Sequence, residues 1–328
     1  MLKRKKKVTI LGTIVFLTTV VYLFKNDVQT PQDGIYGYQL QPRAPENGEL
    51  LHAQVNTTST CEDCMKKDDL LSQWPKGKPK GVIYILTQKS RQFLLQNLLE
   101  SLDSHFNAQF SYPIVIFHEE MDLKTKLAIQ STTQVNIFFQ KVHFSVPDFV
   151  ENVQANIRCT SSVSYRHMCR FNAKGVYEQQ IMEGFDYHWR LDDDSLLTRP
   201  IKYDIFQFMQ SHDYLYGYIW IHVDASVCVH GLWEASENYI REKGLRVEYF
   251  YTWKNPQIFY NNFEVSSAKL WESDKYRAYI DYIDHQGGIY HHRWGDAPIK
   301  GIAVSMFVPR NKTHHFKDIG YRHGSYES

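Results

Sequence analysis

The chain has 328 residues, 43% of them apolar and 22% charged, a composition ordinary for a globular protein long enough to bury a sizeable core. Its formal net charge is +1, yet five of its 37 basic residues form one cluster, Lys3 to Lys7, which leaves 32 basic against 36 acidic residues, or −4, elsewhere. No surplus of positive charge remains to hold a nucleic acid electrostatically, and that class of partner is excluded.

The basic cluster "KRKKK" is followed by a run from Val8 to Phe24 without a charge. As a helix rising about 1.5 Å per residue, this run spans roughly 26 Å, enough for a thin internal membrane. Positive charge ahead of the span predicts residues 1–7 as a cytosolic tail, 8–24 as a transmembrane signal anchor, and everything beyond as luminal. A cleaved signal peptide is the alternative, but the run exceeds a usual h-region and no small-x-small site follows it. Residues 25–79 are polar, without a sustained apolar period, and read as a stem or linker. They contain a glycosylation sequon at Asn56; a second lies at Asn311. The five cysteines are an odd number, so at least one is free or paired between chains. Cys61 and Cys64, a lone CxxC, suggest a local disulfide or an intermolecular link.

From residue 80 the pattern becomes that of a folded domain, 80–328. "KGVIYIL" (80–86) is a short buried-strand run. The next segment places Phe93, Leu94, Leu98, Leu99, Leu102 and Phe106 at helical spacing. "PIVIFH" (113–118) is a second strand, "DLKTKLAIQ" a helix and "VNIFFQKV" a third strand. This alternation predicts an α/β fold, a mostly parallel sheet flanked by helices on both faces. Further on, "FDYHWRL" and "YLYGYIWI" read as strands, and "LWEASENYIREKG" and "DKYRAYIDYIDHQGG" as helices.

The strand at 185–191 runs into Asp192, Asp193 and Asp194. Ligands of open α/β sheets bind at the carboxyl ends of strands, and hard divalent cations take carboxylates plus substrate phosphates. On an extended strand Asp192 and Asp194 project to one side and Asp193 to the other, a spacing that suits a carboxylate pair on one metal. A solvated turn or helix cap is the competing reading of the triplet alone.

An anchored luminal α/β domain with Asp-x-Asp after a strand resembles a nucleotide-sugar glycosyltransferase of the GT-A type. "YRHMCRF" (165–171), "YHWRLDDD" (187–194), "NNFEV" (261–265), "GGIYHHRWGDAPIKGIAVSMF" (287–307) and "DIGYRHGSY" (318–326) then narrow the likeness. In unbroken order they resemble the signature blocks of the fungal-type α-1,2-mannosyltransferases of glycosyltransferase family 15. The resemblance implies retaining transfer of mannose from GDP-mannose to a mannosyl acceptor on a glycoprotein or glycolipid glycan, supported by Mn2+, in a single-pass type II protein of the Golgi membrane. Residue by residue, it implies metal binding by Asp192, Asp194 and His323, with Glu264 as candidate nucleophile. It further implies site roles for Tyr165 and for Asp296, a candidate for ligand contact. Arg170 and Arg190 are candidates for the diphosphate, together with Asp194 through its metal, and Tyr260 for the substrate sugar. Each has a plainer alternative: His323 a surface histidine, Glu264 a buried hydrogen-bonded carboxylate, Asp296 a helix cap. His291–His292 and His314–His315 lack ligand spacing and are expected to bind nothing.

The chain also departs from the family pattern. Asp192 and Asp193 replace Glu and Pro of its metal motif, "QIFYN" precedes Glu264 with Ile258 and Tyr260 in place of His and Trp, and Arg322 replaces a His. These changes leave open a different donor or acceptor, or a glycan-binding relative without turnover.

Overall fold

The computed structural model describes residues 61–153, 159 and 161–328. The expected cytosolic tail, the membrane anchor and Asn56 lie outside the described residues. Among the described residues, no helix is long and apolar enough to cross a membrane.

Twelve strands are described: β1 (Gly81–Leu86), β2 (Ile114–His118), β3 (Ile137–Lys141), β4 (Tyr187–Leu191), β5 (Ser195–Leu197) and β6 (Tyr216–Tyr218), then β7 (Ile221–Val223), β8 (Gln257–Phe259), β9 (Phe263–Ser267), β10 (Thr313–His315), β11 (Tyr321–His323) and β12 (Tyr326–Glu327). Seven form the central sheet, in the order β10-β6-β9-β4-β1-β2-β3. β9 runs antiparallel to both of its neighbours, β4 and β6, while the other pairings are parallel. The sheet is therefore mixed and mostly parallel, as expected from the alternation of elements.

Period-two alternation decides what packs on each face. Ile83, Ile85, Trp189 and Val265 join a core with Leu95, Leu98, Leu99 and Leu102 of the helix Gln92–Leu102 and with Phe206. Val82, Tyr84 and Phe117 point the other way, towards Phe171, Val176 and Ile181. Phe93, expected inside, is 73% exposed and Leu95 takes the buried position, so the apolar stripe is rotated from the one anticipated. "YLYGYIWI" does not make one strand: it divides into β6 and β7, and β7 pairs with β8 in a separate ribbon.

Residues 61–79, read from sequence as stem, are built into the domain. A Cys61–Cys64 disulfide precedes the helix Cys64–Ser72, and Cys64 joins the core around Val82 and Phe117. The ammonium of Lys67 donates to the carbonyls of Gln180 (3.2 Å) and Glu183 (3.3 Å), and Asp63 accepts from the Phe139 amide (2.9 Å). The helix is anchored by these polar contacts more than by an apolar stripe, which is why periodicity passes over it. A second disulfide joins Cys159 to Cys228, and Cys169 is a free, buried thiol.

Candidate active site

Asp192, Asp193 and Asp194 follow the carboxyl end of β4, beside that of β1. The segment is a turn, closed by the Ser195 amide donating to the Asp192 carbonyl at 3.0 Å, and not an extended strand. Burial nevertheless alternates along the triplet. Asp193 is buried, while the side chains of Asp192 and Asp194 remain about one third exposed, at 33% and 35%. Asp193 is a structural anchor. It accepts from the Thr87 hydroxyl at 2.6 Å and from Arg91 through Nε and Nη2. Arg91 also reaches Asp194 (3.1 Å), so one guanidinium at the end of β1 holds two of the three carboxylates.

β11 brings the histidine. It pairs antiparallel with β5, with His323 opposite Ser195, and thereby sets the imidazole against the acidic turn. The approach requires glycine just ahead of it: a Cβ on Gly320 would stand 2.3 Å from the Arg199 side chain. His323 Nδ1 lies 3.2 Å from an Asp194 oxygen, yet it is a buried nitrogen without a hydrogen bond of good geometry. The neighbouring imidazole, ahead of Arg91, holds the Asp194 carboxyl down to about 2.

A carboxylate and an imidazole meeting in this way suit Mn2+, which accepts both oxygen and nitrogen donors. Asp192 is not yet the third ligand. Its Oδ1 is taken by Arg190 Nη2 at 2.9 Å, and among the described residues no three acidic, cysteine or histidine side chains already converge at metal-binding spacing. Two protein ligands completed by substrate oxygens match the ordinary habit of such cations.

Other expected residues take different places. Arg170 makes a bidentate ion pair with Asp284, through Nε (2.8 Å) and Nη2 (2.7 Å), so its guanidinium is committed to the helix Asp274–His285 rather than to a phosphate. Arg190 is buried between Asp192 and Asp296 and pairs with both, orienting Asp192. Asp296 is 4% exposed and bonded to Arg190 and to the Asn261 amide (2.8 Å), so it supports Arg190 from below. Burial alone would raise its carboxyl; Arg190 and Asn261 hold it below the usual carboxylate range. Glu264 is 1% exposed and ion-paired with Lys300, which does not suit a nucleophile that must touch a sugar. Tyr165 sits at the surface with the Arg293 guanidinium 5.3 Å from its ring centre.

Tyr260 stays at the site. Its ring lies 5.7 Å from that of His323 and stacks face to face on His222 at 4.4 Å. Tyr326 meets His222 at 4.6 Å and Trp220 at 6.0 Å. These rings make an aromatic wall beside the acidic turn, with Tyr326 about half exposed. Trp220, His222, Tyr326, Thr87 and Arg91 were not singled out by sequence reasoning. For Trp220, His222 and Tyr326 the one signal was the aromatic density of "YGYIWIH" and "GYRHGSY", which core packing explains equally well; Thr87 and Arg91 carry none.

Comparison with known proteins places this geometry. The family model described as glycolipid 2-α-mannosyltransferase matches residues 39–328. A glycolipid 2-α-mannosyltransferase of Saccharomyces cerevisiae is 32% identical over 277 residues, 77% of this chain and 62% of the relative, so the match spans less than two thirds of that protein's length. An α-1,2 mannosyltransferase of the same yeast is 28% identical, covering 79% of this chain and 72% of its own. Among solved structures, the mannosyltransferase Ktr4p from S. cerevisiae in complex with GDP superposes with a TM-score of 0.72, at 26% identity and over 81% of each chain. The Mn/GDP form of core-mannan synthase A from Aspergillus fumigatus shares the fold, with a TM-score of 0.72 at 23% identity over 76% of each chain. With its family model spanning the whole described region, the chain belongs to the glycolipid 2-α-mannosyltransferase family, glycosyltransferase family 15.

Proposed function

We propose that this protein is a retaining α-1,2-mannosyltransferase that moves mannose from GDP-mannose to a mannosyl acceptor on a glycoprotein or glycolipid glycan. The observation that carries the reading is the meeting of Asp194 and His323 at the carboxyl end of β4, in a chain of this family. The relatives are named as α-mannosyltransferases, and the two solved neighbours are a GDP complex and a Mn/GDP form, which supports GDP-mannose as donor and Mn2+ as cofactor.

When bound, Mn2+ would neutralise the charge that develops on the departing diphosphate. Asp194 and His323 would hold it, with Asp192 oriented by Arg190 as a further ligand. Arg91 and Thr87 fix the turn through Asp193, and Arg91 also holds Asp194, so that carboxylate is in place before the donor arrives. The aromatic wall of Trp220, His222, Tyr260 and Tyr326 offers apolar ring faces to the C–H faces of a pyranose. Burial of Glu264 favours same-face attack guided by the leaving phosphate over a covalent glycosyl-carboxylate route.

The basic cluster at residues 3–7 and the uncharged run 8–24 support a single-pass type II membrane protein with a luminal catalytic domain, and the family resemblance points to the Golgi membrane. The test is transfer by the purified full chain from a panel of sugar nucleotides to α-methyl mannoside, with and without Mn2+. Metal-dependent mannose transfer from GDP-mannose alone is expected. Failure of GDP-mannose to be consumed, or preference for another donor, overturns the reading.

A further inference from the structure

The helix Asp296–Phe307 carries two buried, oppositely charged residues one turn apart, Asp296 and Lys300, which therefore share a face. Arg190 of β4 and Glu264 of β9 stand directly opposite each other on one face of the sheet. The helix meets the strands through two crossed ion pairs, Asp296 with Arg190 and Lys300 with Glu264. All four residues are 4% exposed or less. Their remaining hydrogen-bonding groups are also engaged: Lys300 donates to the Tyr177 hydroxyl at 2.7 Å, Tyr216 donates to Glu264 at 3.0 Å, and the ammonium lies 4.4 Å from the centre of the Trp271 ring. The free edge of Arg190 then grips Asp192.

Four desolvated charges are an expensive way to join a helix to a sheet, and apolar side chains of similar size would pack there at lower cost. What charges add is register, since each end fits only its opposite. We propose that Lys300 is a positioning residue: with Asp296 it forms a buried clamp that sets Arg190, and through Arg190 orients Asp192, while Glu264 is a member of the clamp and not the group that attacks the sugar. This rests on the mannosyltransferase reading only for its activity readout. The clamp itself is tested by stability and metal binding.

The experiment compares Glu264→Gln, Lys300→Met and the double variant in the full chain. Thermal unfolding, Mn2+ binding by electron paramagnetic resonance, and kcat and KM for GDP-mannose are each measured. Each single variant strands one buried partner, so both should melt earlier and bind Mn2+ about tenfold more weakly, as when an outer-sphere support is lost. The double variant removes the pair together. It should regain most of the lost melting temperature and Mn2+ affinity, and recover turnover at least about tenfold over Glu264→Gln. A double variant that melts like the parent but turns over no faster than Glu264→Gln would show that Glu264 touches the reacting atoms. Single variants that melt and bind Mn2+ like the parent, or a double variant as unstable as either single one, would overturn the clamp. If the parent consumes no GDP-mannose, the transferase reading fails, and melting and metal binding still decide the clamp.

Discussion

His323 Nδ1 and an Asp194 oxygen lie 3.2 Å apart because β11 folds back on β5 with His323 in register with Ser195. Two residues from distant parts of the chain are thus held against one another by backbone pairing, before any ligand arrives.

Replacement of either should remove the reaction and leave the fold. His323→Ala and Asp194→Ala are each expected to lower kcat/KM by about two orders of magnitude or more, the range for losing an electrostatic contact to a developing charge. Mn2+ affinity should fall in parallel while a single cooperative melting transition is retained. Full turnover by His323→Ala at limiting Mn2+ would refute the metal assignment.

Asp193 should behave in the opposite way. Its carboxylate is buried against Thr87 and Arg91, so Asp193→Ala leaves the Thr87 hydroxyl with only a long contact to the Gln88 carbonyl and Arg91 with Asp194 as its one remaining carboxylate. Stability should drop by about 2–3 kcal/mol, less than for a fully buried pair because Arg91 keeps some contact with water. Urea unfolding measures this directly, and an unchanged midpoint would mean the anchor is dispensable.

The aromatic wall predicts a split between the two substrates. Tyr260→Ala and His222→Ala should raise the acceptor KM about tenfold through lost stacking, with the donor KM held within about twofold. Donor hydrolysis in the absence of acceptor should continue. Equal effects on both substrates would place the wall on the donor side instead.

Acid sensitivity should trace to His188. This β4 residue is fully buried, and burial, then the Lys300 charge, lowers its imidazole to about 3 from an ordinary 6.5. The unfolded chain binds a proton first as pH falls through about 6.5, so the stability His188 contributes is complete above that value and drains away down to about 3. The slope from this residue approaches about 1.4 kcal/mol per pH unit. Unfolding free energies measured across that window should lose this slope in a His188→Asn variant; a slope that persists assigns the acid sensitivity to other groups.

Much of this architecture was legible in the sequence, for physical reasons that differ by element. β1 and β2 are almost continuous apolar runs, β3 opens on Ile-Phe-Phe, β4 is rich in aromatic residues, and the helix Asp274–His285 has a clean amphipathic face, so pattern alone locates them. The acidic turn was readable from its place after a strand, but His323 only through the motif blocks, because nothing local in "YRHGSY" says which strand it will meet. The partner of Arg170, Asp284, could not be read from sequence because it lies more than a hundred residues away. Arg91 and Thr87 were missed for the same reason: their bonds to Asp193 cross about a hundred residues of chain and leave no local pattern. The helix Cys64–Ser72 escaped because polar contacts anchor it.

The direction of β9 bears on how the protein is made. β1 to β4 can assemble as the chain emerges, but the strand carrying the acidic turn then presents an open edge until residues 263–267 arrive and run back between β4 and β6. During that interval an unpaired, largely apolar strand is available to any passing segment, including its counterpart on a neighbouring nascent chain. Yield at elevated temperature should therefore be governed by how quickly β9 is delivered and captured, and chaperone demand should be greatest before it docks.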